Sequence, residues 1–186
     1  MFRKPVYRKN RLVERSFTVK KLIALGIIAV LCLSAIAAAD KVEGLWKSID
    51  EKTGKVTAAW QIYQKDSKLY GIILTVPNQK DDKLASDCKP SYKDFPVPGD
   101  VSKMTVVNTP FIYGLKMKAP GQWEGGNIID PKEGKLYQCK IIFHAADGNK
   151  YKADTLEMRG EIGLGIGRSQ FWEATTPAEV ESLRVK

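Results

Sequence analysis

The sequence predicts an all-β domain: a single small antiparallel up-and-down barrel of about eight strands, with a short C-terminal helix and an apolar signal helix ahead of it. Three observations carry this reading. From Val42 onward, apolar and polar residues alternate with a period of two, interrupted at short intervals by turn signals. Most of these interruptions are short enough to join only antiparallel neighbours. The stretch from Trp123 through Asp130-Pro131-Lys132-Glu133-Gly134 to Tyr137 reads as strand, tight turn, strand. Half-buried alternation in so many strands favours a sheet closed on itself, because closure removes exposed edges.

The elements follow in order. Residues 42–49 form the first strand, ended by Asp50-Glu51-Lys52-Thr53-Gly54. Residues 55–64 place Val56, Ala58, Trp60 and Ile62 on one face, and Lys65-Asp66-Ser67-Lys68 turns the chain into 69–76. Residues 77–100 hold four prolines, a Lys/Asp cluster and no sustained period. A loop of that length is usually a functional lid or a mobile segment. Residues 103–108 are expected as a strand, and 110–118 are ambiguous. The strand at 122–129 leads into the 130–134 turn, where Pro131 suits the second turn position and Gly134 can take the positive φ that re-enters a strand. In the strand at 135–145, Tyr137, Cys139, Ile141 and Phe143 share a face opposite Gln138, Lys140 and His144. Asp147-Gly148 makes a hairpin into 153–162, and 167–174 is the last strand. Thr176-Pro177-Ala178-Glu179 is a capping box with proline at the first helical position, predicting a helix to about Arg184.

The first 39 residues are of another kind. Eight Lys/Arg against Glu14 precede an apolar run from Leu22 to Leu33 and a small-residue ending at Ala37-Ala38-Ala39. This is the pattern of a secretory signal peptide over 1–39, cleaved after Ala39, and it predicts a periplasmic or otherwise exported domain at 40–186. Residues 22–39 also form an uncharged stretch of 18 residues, at the lower limit for a membrane span. An uncleaved inner-membrane anchor, basic end inside, is therefore the alternative. Beyond this segment no membrane contact is expected.

The leader also accounts for the charge. The chain has 30 Lys/Arg and 21 Asp/Glu, net +9. The leader holds eight and one of these, so 22 and 20 remain, net +2, and no basic stripe is left to neutralise phosphates. Nucleic acid is not an expected partner. Cys32 lies in the leader, leaving Cys88 and Cys139. An even pair in an oxidising compartment predicts a disulfide, two unpaired thiols being the other outcome. The bond would be worth roughly 4 kcal/mol in the chain-entropy model and would pin the long loop to the barrel wall.

The text Trp-x-Gly-Gly-x-Ile-x-Asp-Pro-x-x-Gly-Lys-x-Tyr at 123–137 is similar to the signature of a family of exported bacterial proteins, domain of unknown function 2147. Gly44-Leu45-Trp46, Gly71, Gly114-Leu115-Lys116, Arg159-Gly160 with Ile162-Gly163, and Gly167-Arg168-Ser169-Gln170 before Trp172 line up in order. The resemblance spans roughly residues 42–173. It implies a periplasmic protein with a small lipocalin-like (calycin) barrel, and it implies no activity. The family pattern has two cysteines near Cys88 where this chain has one, which argues against a metal or local redox role there. The Gly-x-Trp opening and a late arginine also look like the lipocalin closure. That resemblance implies that Arg168, or alternatively Arg159, packs across Trp46, a cation–π contact of about 0.5–2 kcal/mol.

Candidate chemistry is thin. His144 is the only histidine, no nucleophile elbow accompanies it, and its side chain leaves the strand opposite to Cys139. The glycines of 163–167 precede strand text, where a phosphate loop would precede a helix, so they read as a barrel corner. Glu157, Arg159 and Glu161 at two-residue spacing read as a surface ion ladder. No catalytic residue, metal ligand or cofactor is expected. Trp60, Tyr70, Trp123 and Tyr137 are the candidates to line a cavity. The expected function is a non-catalytic module for a small apolar or amphiphilic ligand in the cell envelope. The alternative is an envelope structural or protein-interaction domain with a filled barrel.

Overall fold

Turn chemistry and alternation combine into one closed sheet. The computed structural model describes residues 40–163 and 165–185; the leader, its alternative anchor at 22–39 and Cys32 lie outside them. Eight strands follow one another: β1 (Gly44–Ile49), β2 (Val56–Lys65), β3 (Lys68–Thr75), β4 (Ile112–Ala119), β5 (Gln122–Asp130), β6 (Lys135–His144), β7 (Thr155–Glu161) and β8 (Gly167–Ala174). Each pairs antiparallel with the next, and β8 returns to β1 through Trp46–Ala174 and Ser48–Trp172. No strand keeps a free edge. Among the described residues one α-helix, α1 (Pro177–Ser182), carries the expected capping box, Thr176 and Glu179 each bonding the other's backbone N–H.

Alternation decides what enters the barrel. On β6, Cys139 and Ile141 are fully buried while Gln138 is exposed. On β2, Trp60 and Ile62 point in, and on β3 Leu69 and Ile73 do so. Trp46 closes one end: its Nε1 donates to the Val42 carbonyl at 2.9 Å, and its ring meets Phe143 edge-on at 6.3 Å. Trp123, Leu115 and Leu156 fill the same half.

Two expectations about the segment between β3 and β4 need correction. Residues 103–108 are not a strand; a 3-10 turn at Val101–Lys103 leads into single bridges, Leu84 to Thr105 and Ile73 to Val107. β4 pairs with β3 only from Lys68 to Gly71, and Val107 meets the β3 edge beyond it through the single Ile73 bridge. Nor is 77–100 a free lid. Ala85, Cys88 and Val101 are buried, the Tyr113 hydroxyl donates to the Lys93 carbonyl, and the Tyr92 hydroxyl donates to the Gly134 carbonyl at 2.9 Å. Burial pushes both tyrosines up to about 12, so these hydroxyls stay protonated donors. Gly134, at φ +62°, has no room for a side chain: a Cβ there would stand 2.0 Å from the Asp87 carbonyl oxygen.

The expected disulfide is also corrected. Cys88 and Cys139 are both free and buried. The Cys88 Cα would lie 3.1 Å from a Cβ on Gly134. Cys139 is five residues farther along β6, about 17 Å at ordinary strand rise, whereas a disulfide tolerates Cα separations of about 7 Å at most. Cys139 instead places its Sγ 3.2 Å from Met158 Sδ inside the barrel. Burial raises the pKa of both thiols.

Candidate functional site: an open cavity at the Trp60 end of the barrel

Beyond the Trp46–Trp60 pair of β1 and β2 the barrel is not filled. A cavity of about 830 Å³ opens at that end, within the range of small-molecule sites. Its wall is made by Trp60, Ile73, Ile128, Tyr137, Met158 and Trp172. The two tryptophans stack at 4.8 Å between centroids, which ties β2 to β8 across the neck of the cavity. Each indole N–H is satisfied inside the wall: Trp60 donates to Ser48 Oγ and Trp172 to Gln170 Oε1, both at 3.2 Å. Ser48, Thr57, Gln79 and Gln170 are uncharged polar residues of the lining. The rim mixes Lys83, Lys132 and Arg168 with Asp50, Asp87, Asp130 and Glu133, and adds Leu84, Ile162 and Ile166.

The space exists because small residues occupy inward positions. Gly160 faces the cavity, and the nearest atoms a Cβ there would meet are in ordinary contact, Tyr137 at 3.5 Å and Ile128 at 3.9 Å. Ala58 and Ser48 are the small lining residues on β2 and β1.

The structure separates the four expected lining residues. Trp60 and Tyr137 lie in the cavity wall. Trp123 points inward but belongs to the filled half, fully buried with its Nε1 unpartnered. Tyr70 faces outward, stacked on Tyr63, its register partner on β2, at 5.8 Å. Sequence reasoning missed Ser48, Gln170 and Met158. A signal was available in the first two: each is a polar residue standing two positions from an inward tryptophan, where a filled core would hold an apolar one.

The expected Trp46–Arg168 closure is not formed. Arg168 lies six residues from Ala174, the register partner of Trp46, about 20 Å along β8. Its guanidinium pairs with Glu51 at 3.2 Å on the rim. Arg159, the alternative, bonds Glu161 and the Gly165 carbonyl. Trp46 closes its end by packing and by its bond to Val42 alone.

The outer wall holds the other polar clusters. Ser169 Oγ donates to one oxygen of Glu157 at 2.7 Å, and His144 Nε2 meets the other at 3.1 Å. Serine and histidine thus share a carboxylate and do not reach each other, so nothing in this trio activates a nucleophile. These contacts hold the Glu157 carboxyl below its ordinary range, Ser169 contributing most. Arg159 and Lys140 do the same for Glu161. Among the described residues no three His, Cys, Asp or Glu side chains gather as a metal site would require.

An eight-stranded up-and-down barrel with one end packed and the other open is the architecture of the lipocalin-like class. The chain belongs to the family of domain of unknown function 2147, described as an uncharacterized protein conserved in bacteria, whose sequence pattern matches residues 44–174. Protein HP1028 from the human pathogen Helicobacter pylori, which its title places in the lipocalin family, has a similar structure. The TM-score is 0.59 at 15% identity, over 79% of this chain and 91% of that one; the likeness is one of fold. No curated protein matches the sequence. Among the described residues no helix is long and apolar enough to cross a membrane.

Proposed function

We propose that this chain is exported to the cell envelope and there holds a small apolar or amphiphilic molecule in its barrel, without catalysing a reaction on it. The observation that carries the proposal is the open cavity walled by stacked Trp60 and Trp172 with Ile73, Ile128, Tyr137 and Met158. Apolar walls of this size favour burying hydrocarbon at about 25 cal/mol per Å². The few polar groups, Gln170 and Gln79 within and Arg168 at the rim, suit a ligand with one polar end. The basic and apolar leader supports export.

The deciding experiment is native mass spectrometry of protein purified from the envelope of its own host, followed by solvent extraction. A stoichiometric apolar or amphiphilic adduct is expected, and adding it back to stripped protein should quench Trp60 and Trp172 emission saturably. Protein that carries no adduct and binds no fluorescent amphiphile at micromolar concentration would refute the reading. Export is tested separately: N-terminal sequencing of the envelope form should begin at Asp40, while an intact Met1 in the inner-membrane fraction would select the anchor.

A further inference from the structure

We propose that the open end of the barrel carries a lip that seats on a lipid bilayer, with Ile162 and Ile166 of the β7–β8 hairpin and Leu84 across the mouth entering the headgroup region. Seven large hydrophobic residues are exposed among the described ones, and the two most exposed are Ile162, at 71%, and Ile166, at 64%. Both are held in place by the hairpin: the Ile162 N–H donates to the Ile166 carbonyl at 2.9 Å, and the Ile166 N–H to the Gly163 carbonyl at 3.0 Å. Polar residues satisfy a hairpin tip facing water, so two isoleucines there need a different neighbour. Leu84, also exposed, stands on the docked 77–100 segment. All three side chains belong to the cavity rim as well. These three exposed side chains therefore stand where the outside of the barrel meets the cavity.

The choice of a bilayer over a protein follows from size and charge. Three side chains on a narrow rim fall far short of the about 800 Å² per partner that a stable protein interface buries, but they are enough for shallow interfacial insertion. The rim cations Lys83, Lys132 and Arg168 are outnumbered by Asp50, Asp87, Asp130 and Glu133, and Arg168 is already paired with Glu51. Seating should thus be driven by apolar insertion, should occur on zwitterionic lipid, and should depend weakly on salt, unlike binding by a polybasic segment. An amphiphile could then pass between bilayer and cavity without crossing water. The inference goes beyond the binding reading and holds whatever the cavity contains.

The test uses the full chain, expressed with its own leader, carrying Ile166→Trp. Vesicles of phosphatidylcholine brominated along the acyl chains are compared with unbrominated ones. The wild-type signal supplies the background of the native tryptophans. Phe171→Trp, on the outer wall four residues from the mouth end of β8, is the control. Both sites are exposed, so neither variant endangers the fold. The added Ile166→Trp emission should shift to the blue and lose at least half its intensity on brominated vesicles, the Phe171→Trp emission changing little, with or without extracted ligand. Equal quenching at both sites, or none at Ile166→Trp, overturns the proposal. So does a concentration-dependent dimer that the Ile162→Ser/Ile166→Ser variant abolishes, since the lip would then serve a second copy of the chain.

Discussion

Gly160→Leu should separate the cavity from the rest of the barrel. Gly160 lies mid-strand on β7, facing the cavity, with only ordinary contacts around the position its Cβ would take. Replacing a strand-interior glycine removes about 0.5–1 kcal/mol of backbone flexibility from the unfolded chain. At about 2–4 °C per kcal/mol for a domain of this size, the melting temperature should hold or rise by a few degrees. The four added carbons project into the cavity of about 830 Å³. A ligand that uses this wall gives up a comparable volume. At about 0.8 kcal/mol per methylene, that loss is roughly 3 kcal/mol, or about 100-fold in affinity. The assay is displacement of a fluorescent amphiphile alongside a thermal melt. Unchanged affinity in a folded variant would show that the ligand sits elsewhere. A fall in melting temperature of many degrees would show that the space beside Gly160 is not free.

Further outcomes follow from the same geometry. Gly134→Ala should destabilise the domain by more than the about 1–2 kcal/mol of a left-handed residue, because its methyl also meets the Asp87 carbonyl. Limited proteolysis should then cut within 77–100, and a wild-type digestion pattern would contradict the docking. Native protein should resist thiol reagents and release two reactive thiols beyond the leader on denaturation, with no mass change on reduction; a gain of two hydrogens would restore the disulfide. Trp46→Ala should cost about 3–5 kcal/mol by urea denaturation, and Arg168→Ala, which loses only an exposed ion pair, at most about 1; equal losses would reinstate the tryptophan–arginine closure. The Glu157 carboxyl is held below its ordinary value of 4.5. Its contribution is therefore present above that pH and is lost as pH falls through the lowered value. Stability should decline more steeply below about pH 4.5 in wild type than in Glu157→Gln, and identical acid limbs would show that the Ser169 and His144 bonds contribute nothing.

How far the site could be read in advance varied along the chain. The faces of β6 were legible because Gln138 and Lys140 are polar, leaving only one side for Tyr137 and Cys139. The face of Tyr70 was not. Tyr70, Ile72 and Leu74 alternate with Leu69, Gly71 and Ile73, so both sides of β3 are apolar and a two-residue period cannot say which one is inside. Trp123 was placed on the correct face but at the wrong height, since height depends on the stagger between strands that the Gly125 bulge alters. The pairing of Trp46 with Arg168 failed for the same reason: Arg168 stands on the open rim, six residues along β8 from the register partner of Trp46.

Local rules therefore determined what is local: the strand periods, the 130–134 turn and the capping box on α1. Family membership was legible in the same scattered glycines and tryptophans. Only the closed sheet decided which end is packed and which is open, because strand stagger and the return of β8 to β1 are sums over all eight strands. It also decided how the long segment is held. Tyr92 and Gly134 are 42 residues apart in the chain and 2.9 Å apart in the fold, a proximity that no local pattern encodes.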